Sequence, residues 1–154
     1  MIFSRFLFPS KPQIRSLART LRASDRRELD ASHGKQPSAQ LLQAFVEQSC
    51  EMCVMSVDGE TAAMGGIAAD AHLPNAACVW MLTGTAVEKY PKSFFKICRT
   101  CLADFLQRYD VLYNWVDARY AQAVRFILRL GGELNGTYRI CNGHKFLFFI
   151  FRRK

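Results

Sequence analysis

The residues best placed to do chemistry lie between Thr83 and Lys92. An apolar run, Ala76 to Leu82, stops at Thr83-Gly84-Thr85, and a long amphipathic segment opens at Pro91 and runs to Tyr109. A strand that ends in a turn and leads into a helix presents free backbone N–H groups and the positive end of the helix dipole, an arrangement that takes up anions. Lys89 and Lys92 add positive charge beside it. The chemistry this predicts is phosphate binding.

Other reactive side chains point to less. Six cysteines include two pairs at CxxC spacing, Cys50/Cys53 and Cys98/Cys101. Zinc sites use such pairs where tight turns aim both sulfurs at one metal. Here Cys98 and Cys101 fall in mid-helix beside Phe94, Phe95, Leu102 and Phe105, and Cys50 and Cys53 straddle the start of a strand. The expectation is therefore no metal, with reduced thiols acting as small hydrophobes. His33, His72 and His144 sit in polar breaks or turns, and the chain carries no P-loop, metal-binding histidine pair or Ser-His-Asp order.

The elements that must position the Thr83–Lys92 turn are legible from periodicity. A second apolar run, Val111 to Val116, is followed by a helical segment, Arg119 to Leu130, closed by Gly131-Gly132. Two strands, each followed by a helix, predict a β-α-β-α unit with the strands parallel. Before it, Lys11 to Thr20 reads as a first strand with Pro12 confining it to an edge. Ser24 reads as the cap of a short helix with Asp25 in its first turn. A helix from Pro37 or Ser38 to Gln48 follows, then a hairpin turning at Asp58-Gly59, whose return strand carries Gly65-Gly66 and predicts a bulge or a close backbone approach. A second hairpin turns at Asn142-Gly143, and its nearly all-apolar last strand, His144 to Phe151, should be covered on both faces or used for association. The expected order is β-α-α-β-β-β-α-β-α-β-β.

Length and charge bound the rest. A chain of 154 residues, half of them hydrophobic, fits one domain that buries roughly 70% of its unfolded surface. We divide it into an apolar and basic arm at 1–10, a globular core at 11–151 and a basic tail at 152–154. No apolar run approaches the ~20 residues of a spanning helix. The net charge is +8, and residues 1–27 hold seven cations against Asp25 alone. Such a segment suits an acidic partner, nucleic acid or an anionic surface. The Phe-rich start and apolar last strand suggest self-association.

The element order resembles the Gcn5-related N-acetyltransferase fold. More narrowly, Trp80-Met81-Leu82-Thr83-Gly84 with Tyr90-Pro91, then Tyr109 to Val116, then Val124-Arg125-Phe126 to Leu130-Gly131, resemble the small acetyltransferase-like proteins of tailed bacteriophages, among them the short internal virion protein of podoviruses. Leu17-Ala18-Arg19 and Asp25-Arg26 extend the similarity over most of residues 15 to 151. The resemblance implies an α+β domain in α/β/α layers. Its mixed, mostly antiparallel sheet would have six or seven strands, with a splayed parallel pair at the fourth and fifth and about four helices around it.

It also implies acetyl-CoA as a candidate cofactor, held by Leu82, Thr83, Gly84, Thr85, Lys89 and Lys92. The family's loop, however, carries Arg or Gln, then Gly and a further Gly or Ala, where this chain reads Val87-Glu88-Lys89-Tyr90-Pro91-Lys92. The family's second motif places Tyr120 at its asparagine and Ile127 at the tyrosine that protonates the departing thiolate, a role isoleucine cannot fill. Tyr120 or Tyr90 would have to substitute. For the base that deprotonates an amine the candidates are Glu60, Asp70 and Asp117, and Asp117 also suits the cap of the following helix. With these departures the resemblance implies a phage protein degenerate at its acyl-CoA site, acting by binding in the virion or its assembly. Its partner would be a phage structural or host protein, and its place the host cytoplasm or the particle. The alternative is an acyl-CoA-dependent N-acyltransferase with an atypical loop.

Overall fold

The computed structural model describes residues 2–5, by backbone alone, and residues 8–154. The expected apolar arm therefore lies partly outside the described residues. Seven strands form one sheet: β1 (Ile2–Arg5), β2 (Glu51–Val57), β3 (Glu60–Ala69), β4 (Ala76–Thr83), β5 (Val111–Asp117), β6 (Glu133–Cys141) and β7 (His144–Arg152). Their order across the sheet is β1-β2-β3-β4-β5-β7-β6. Every neighbouring pair is antiparallel except β4 and β5. The helices are α1 (Lys11–Thr20), α2 (Ala23–His33), α3 (Ser38–Gln48), α4 (Pro91–Phe105) and α5 (Ala121–Arg129), with a single 3-10 turn, Thr85–Lys89, between β4 and α4.

Residues 11–20 are a helix where a strand was expected. Ser10 and Gln13 form a reciprocal capping box, and Pro12 occupies the first turn, where its missing N–H costs nothing. Buried Ile14, Leu17, Ala18 and Leu21 then repeat at helical spacing against the sheet. The described residues thus hold five helices, α1 being the one added to the expected order. The start of α2 also differs: the helix begins at Ala23, Arg22 makes no side-chain cap, and Ser24 is inside the first turn. The helix expected to reach Tyr109 ends at Phe105, and the one expected from Arg119 begins at Ala121.

Both hairpins turn as their sequences demand. Asp58 and Gly59 have φ of 51° and 78°, and Asn142 and Gly143 of 51° and 79°, the left-handed pairs of a type I′ turn. The bulge does fall on the return strand β3, but at Ala62, the extra residue opposite Met55 and Ser56, and not at Gly65-Gly66. Gly66 instead serves a close approach, since a Cβ there would stand 2.6 Å from the Glu51 carbonyl oxygen.

Two cores flank the sheet. Helices α1 to α3 bury Leu17, Leu42, Met52 and Met64 on one face. On the other, α4 and α5 bury Ile67, Phe105, Leu112 and Phe149. The last strand, β7, is interior, with Phe146, Phe149 and Phe151 buried. One strand further out, edge strand β6 exposes Leu134, Tyr138 and Ile140.

Replacing Gly66 by Ala should cost about 1–3 kcal/mol, because the obstacle is backbone and cannot rotate away. A urea titration should show a lower midpoint with an unchanged slope.

Candidate functional site

The parallel pairing of β4 and β5 lasts three residues, from Ala76/Val111 to Cys78/Tyr113. There the strands part. The Asn114 side chain is the wedge, its Nδ2 donating to the Val79 carbonyl at 2.7 Å while its Oδ1 accepts from the Trp115 amide at 2.8 Å. Backbone polar groups alternate along a strand, so those of Val79, Met81 and Thr83 point into the gap. Thr83 is occupied: its N–H donates to Asp25 Oδ2 at 2.6 Å and its carbonyl accepts from the Arg22 amide at 3.0 Å. Met81 is left as the bare edge of β4. A cavity of about 890 Å³ opens here, reaching Trp80, Trp115 and Glu28 on one side and Phe94, Cys98 and Phe126 on the other. That volume is in the range of small-molecule sites.

Helix α2 bridges the wide end of the gap. One Asp25 oxygen accepts from both the amide and the hydroxyl of Thr83, the latter at 2.5 Å, and the carboxyl also accepts from Tyr120. One turn on, Glu28 Oε2 accepts the Asp117 amide at 3.1 Å. Two acids at i and i+3 thus tie the tip of β4 to the end of β5. Burial pushes both carboxyls up, Asp25 against the pull of Thr83, Tyr120 and Arg22, and Glu28 to about 7. Glu28 was not among the expected site residues. Its only sequence signal is its spacing from Asp25, which on a helix surface is commonplace.

The expected residues are placed as follows. Asp117 is buried, and burial alone would raise its carboxyl, but the Arg119 guanidinium and amide together hold it below the usual range. Its Oδ1 accepts the Arg119 amide at 2.9 Å, so it closes the turn before α5, and Tyr120, not Asp117, is the residue at the helix cap. Tyr120 is buried, and its hydroxyl, pushed up by burial and by Asp25, is committed to the latch. Tyr90 is 42% exposed on the turn into α4. Asp70 accepts the Tyr113 hydroxyl and caps its own loop, and Glu60 is exposed at a hairpin.

The amides at the strand end of the turn are spent, while α4 opens at Tyr90 with no side-chain cap. The Thr83 amide goes to Asp25, the Gly84 amide to the Ala62 carbonyl at 2.8 Å, and the Val87 amide to the Gly84 carbonyl at 3.4 Å. Gly84 is pressed against α1, with Thr20 Oγ1 2.9 Å from where a Cβ would be. Leu82 is buried on the α1–α3 face. Ala86 and Val87 are buried where the loop would approach a phosphate, and Phe94 stacks on Phe126 at 5.4 Å, joining α4 to α5 above them. Thr85 and Lys92 are exposed, and Lys89 faces Asp58 at 3.9 Å. The bulk beside the cleft is thus Val87, Phe94 and Phe126.

Cys53, Cys98 and Cys101 are buried, and burial pushes the Cys98 thiol up to about 12. Among the described residues no group of three or more His, Cys, Asp or Glu could hold a metal, and no helix is long and apolar enough to cross a membrane. The basic front end divides: Arg22 pairs with Glu88 and donates to Gln122, and Arg26 donates to the Ala18 carbonyl, while Lys11, Arg15, Arg19 and Arg27 face outward.

No protein-family model and no curated protein matches the sequence. Solved structures do match the fold. An aminoglycoside 6'-acetyltransferase type Ii superposes with a TM-score of 0.74 at 12% identity, covering 100% of this chain and 98% of that one. The ribosomal-protein-alanine N-acetyltransferase of Brucella melitensis gives 0.71 at 11% identity and 99% coverage of both. The fold is that of the Gcn5-related N-acetyltransferases. An acetyltransferase of that family from Streptococcus pneumoniae gives 0.68 at 11% identity, covering 99% of this chain and 100% of that one.

Glu28 makes stability fall with pH. Its carboxyl is raised from 4.5 to about 7 in the folded chain, so the folded state holds a proton the unfolded state has released. The contribution is present in full below about 4.5 and is lost as pH rises to about 7, on the order of 3 kcal/mol across the window. His33, lowered by burial and by Arg139, acts in the opposite sense below 6.5, so the comparison with a variant isolates Glu28. Urea unfolding at pH 5 and pH 7.5 should show a smaller loss for Glu28→Gln than for the native chain.

Proposed function

We propose that this chain uses the acetyltransferase architecture as a binding scaffold without transferring acyl groups. In line with its resemblance to small proteins of tailed phages, it works in a phage particle or during its assembly, in the host cytoplasm or packaged, against a phage structural or host protein. The observation that carries the loss of chemistry is the loop after β4: its Thr83, Gly84 and Val87 amides are turned to protein acceptors, and Ala86 and Val87 are buried beneath it. A pyrophosphate needs those N–H groups free and close. Ile127 at the family's tyrosine position and Tyr120 bound to Asp25 leave the thiolate without a ready proton donor. The outward cations of α1 and α2 supply a surface for an acidic partner, nucleic acid included, and the apolar residues on the β6 edge one for a further chain.

A second reading is favoured by one observation. The cleft beside Met81 is open, and Glu28, with its carboxyl near 7, borders it as a base matched to neutral pH. This is the N-acyltransferase reading, with acetyl-CoA lying along the β4 edge and an amine as acceptor. The acceptors named for the superposing enzymes, an aminoglycoside and a ribosomal-protein alanine, differ so widely that the fold selects none.

Thermal unfolding with millimolar acetyl-CoA separates the two. A site with Kd about one-hundredth of the ligand concentration adds about 2.7 kcal/mol, a shift of several degrees for a domain of this size. We expect no shift and no release of free CoA thiol in the presence of amines. A shift of that size, with thiol release abolished in Glu28→Gln, would replace the first reading by the second.

A further inference from the structure

The α1–α3 side of the cleft has a lining that neither the latch nor the loop explains. Its walls are aromatic and ride on the two diverging strands. On the β4 side His33, Phe45 and Trp80 form a continuous row, with ring centroids 5.2 Å and 5.5 Å apart. Trp80 is held upright by its Nε1–H, which donates to Ser49 Oγ at 2.8 Å, and Ser49 is anchored in turn on the Phe45 carbonyl at 2.7 Å. On the β5 side Trp115 packs against Phe148 at 5.1 Å. Arg139 of β6 lays its guanidinium over Trp115, 4.5 Å from the ring centroid.

Arg139 differs from most arginines around the sheet, and from Arg129, which lies over Phe95 at 4.8 Å on the α4–α5 side, in facing this aromatic half of the cleft. Arg108, Arg119, Arg152 and Arg153 each meet a carboxylate. The Arg139 guanidinium has no carboxylate or hydrogen-bond partner among the described residues, yet it borders the cavity. Its field reaches across the gap: it adds to the lowering that burial imposes on His33 of α2, and it opposes the rise that burial and Asp70 impose on Cys78 of β4. A fixed, stacked and unneutralised guanidinium at the rim of an apolar slot is the arrangement that captures a planar anion bidentately. The acids near the cleft are engaged elsewhere, Asp25 by Thr83, Glu28 by the Asp117 amide and Asp117 by Arg119.

We propose that this half of the cleft binds a flat apolar group ending in a carboxylate, the apolar part between Trp80 and Trp115 and the carboxylate on Arg139. Two sources share that chemistry: the C-terminal residue of a partner chain with an aromatic or large aliphatic side chain, and a free aromatic acid. The inference rests on the cleft being a binding site and names what it binds. It does not depend on acyl-CoA, whose failure or success is read separately by the thermal shift.

The test is calorimetry or saturation-transfer NMR on the whole protein with three probes: Gly-Gly-Phe with a free carboxylate, the same peptide as its C-terminal amide, and 3-phenylpropionate. The free-acid peptide should bind at least ~10-fold more tightly than the amide. Arg139→Gln should erase that difference without lowering the melting temperature, whereas Arg15→Gln on the outer face of α1 should leave it intact. Tighter binding of the peptide than of phenylpropionate assigns the site to a chain end, and equal binding assigns it to a free acid. Equal affinity for acid and amide, an Arg139→Gln protein that still discriminates, or no binding of any probe at about 10 mM would overturn the proposal.

Discussion

The structure turns on the place where a parallel strand pair stops pairing. Two strands that share only three residues of ladder would ordinarily leave a row of unmet N–H and C=O groups, a cost comparable to a lost hydrogen bond for each. The chain meets it at both ends of the gap and leaves the middle open. Asn114 substitutes its side-chain amide for the missing strand at Val79, and α2 brings Arg22 and Asp25 to the backbone of Thr83. What remains between them is the Met81 edge, which is why a cavity exists there.

The latch has an electrostatic cost. Asp25 and Glu28 are withdrawn from water to hold β4 and β5 at their distance, and both carboxyls move up in consequence. The hydrogen bonds from Thr83, Tyr120 and the Asp117 amide offset part of that loss. The same withdrawal gives Glu28 a proton affinity suited to neutral pH. A group strained for architecture and a group tuned for proton transfer look alike in this respect, so the loop after β4 carries more weight in the functional reading than the carboxyl does.

On the opposite side of the sheet, aromatic stacking takes the place that backbone amides hold in an anion cradle. Phe94 on Phe126, with Phe95 edge-on to the latter at 5.8 Å, joins α4 to α5. Apolar contact of this kind stabilises the helix pair and excludes the water that a phosphate would bring with it. The cleft is consequently two-faced, apolar and thiol-lined towards α4 and α5, aromatic towards α2 and α3 with the Arg139 guanidinium unpaired among the described residues.

Much of this was legible in the sequence. Strand alternation, the Asp58-Gly59 and Asn142-Gly143 turns and the two strand-then-helix units depend on neighbours a few residues apart, and they marked out the parallel pair and the α+β layering. Residues 11–20 read as a strand because Pro12 suits both a strand edge and a first helical turn, and the Ser10–Gln13 box with the helical spacing of Ile14, Leu17, Ala18 and Leu21 decides for the helix. The site was less legible, since its decisive contacts span long separations: Asp25 to Thr83, Glu28 to Asp117, and Arg139 over Trp115. Local pattern determined that a turn after β4 would face the ligand side of such a fold. Whether its amides were free, whether Tyr120 could give up its proton and which acid lay in the cleft were decided by tertiary packing, because hydrogen-bond partners and burial are properties of what surrounds a residue, not of its type.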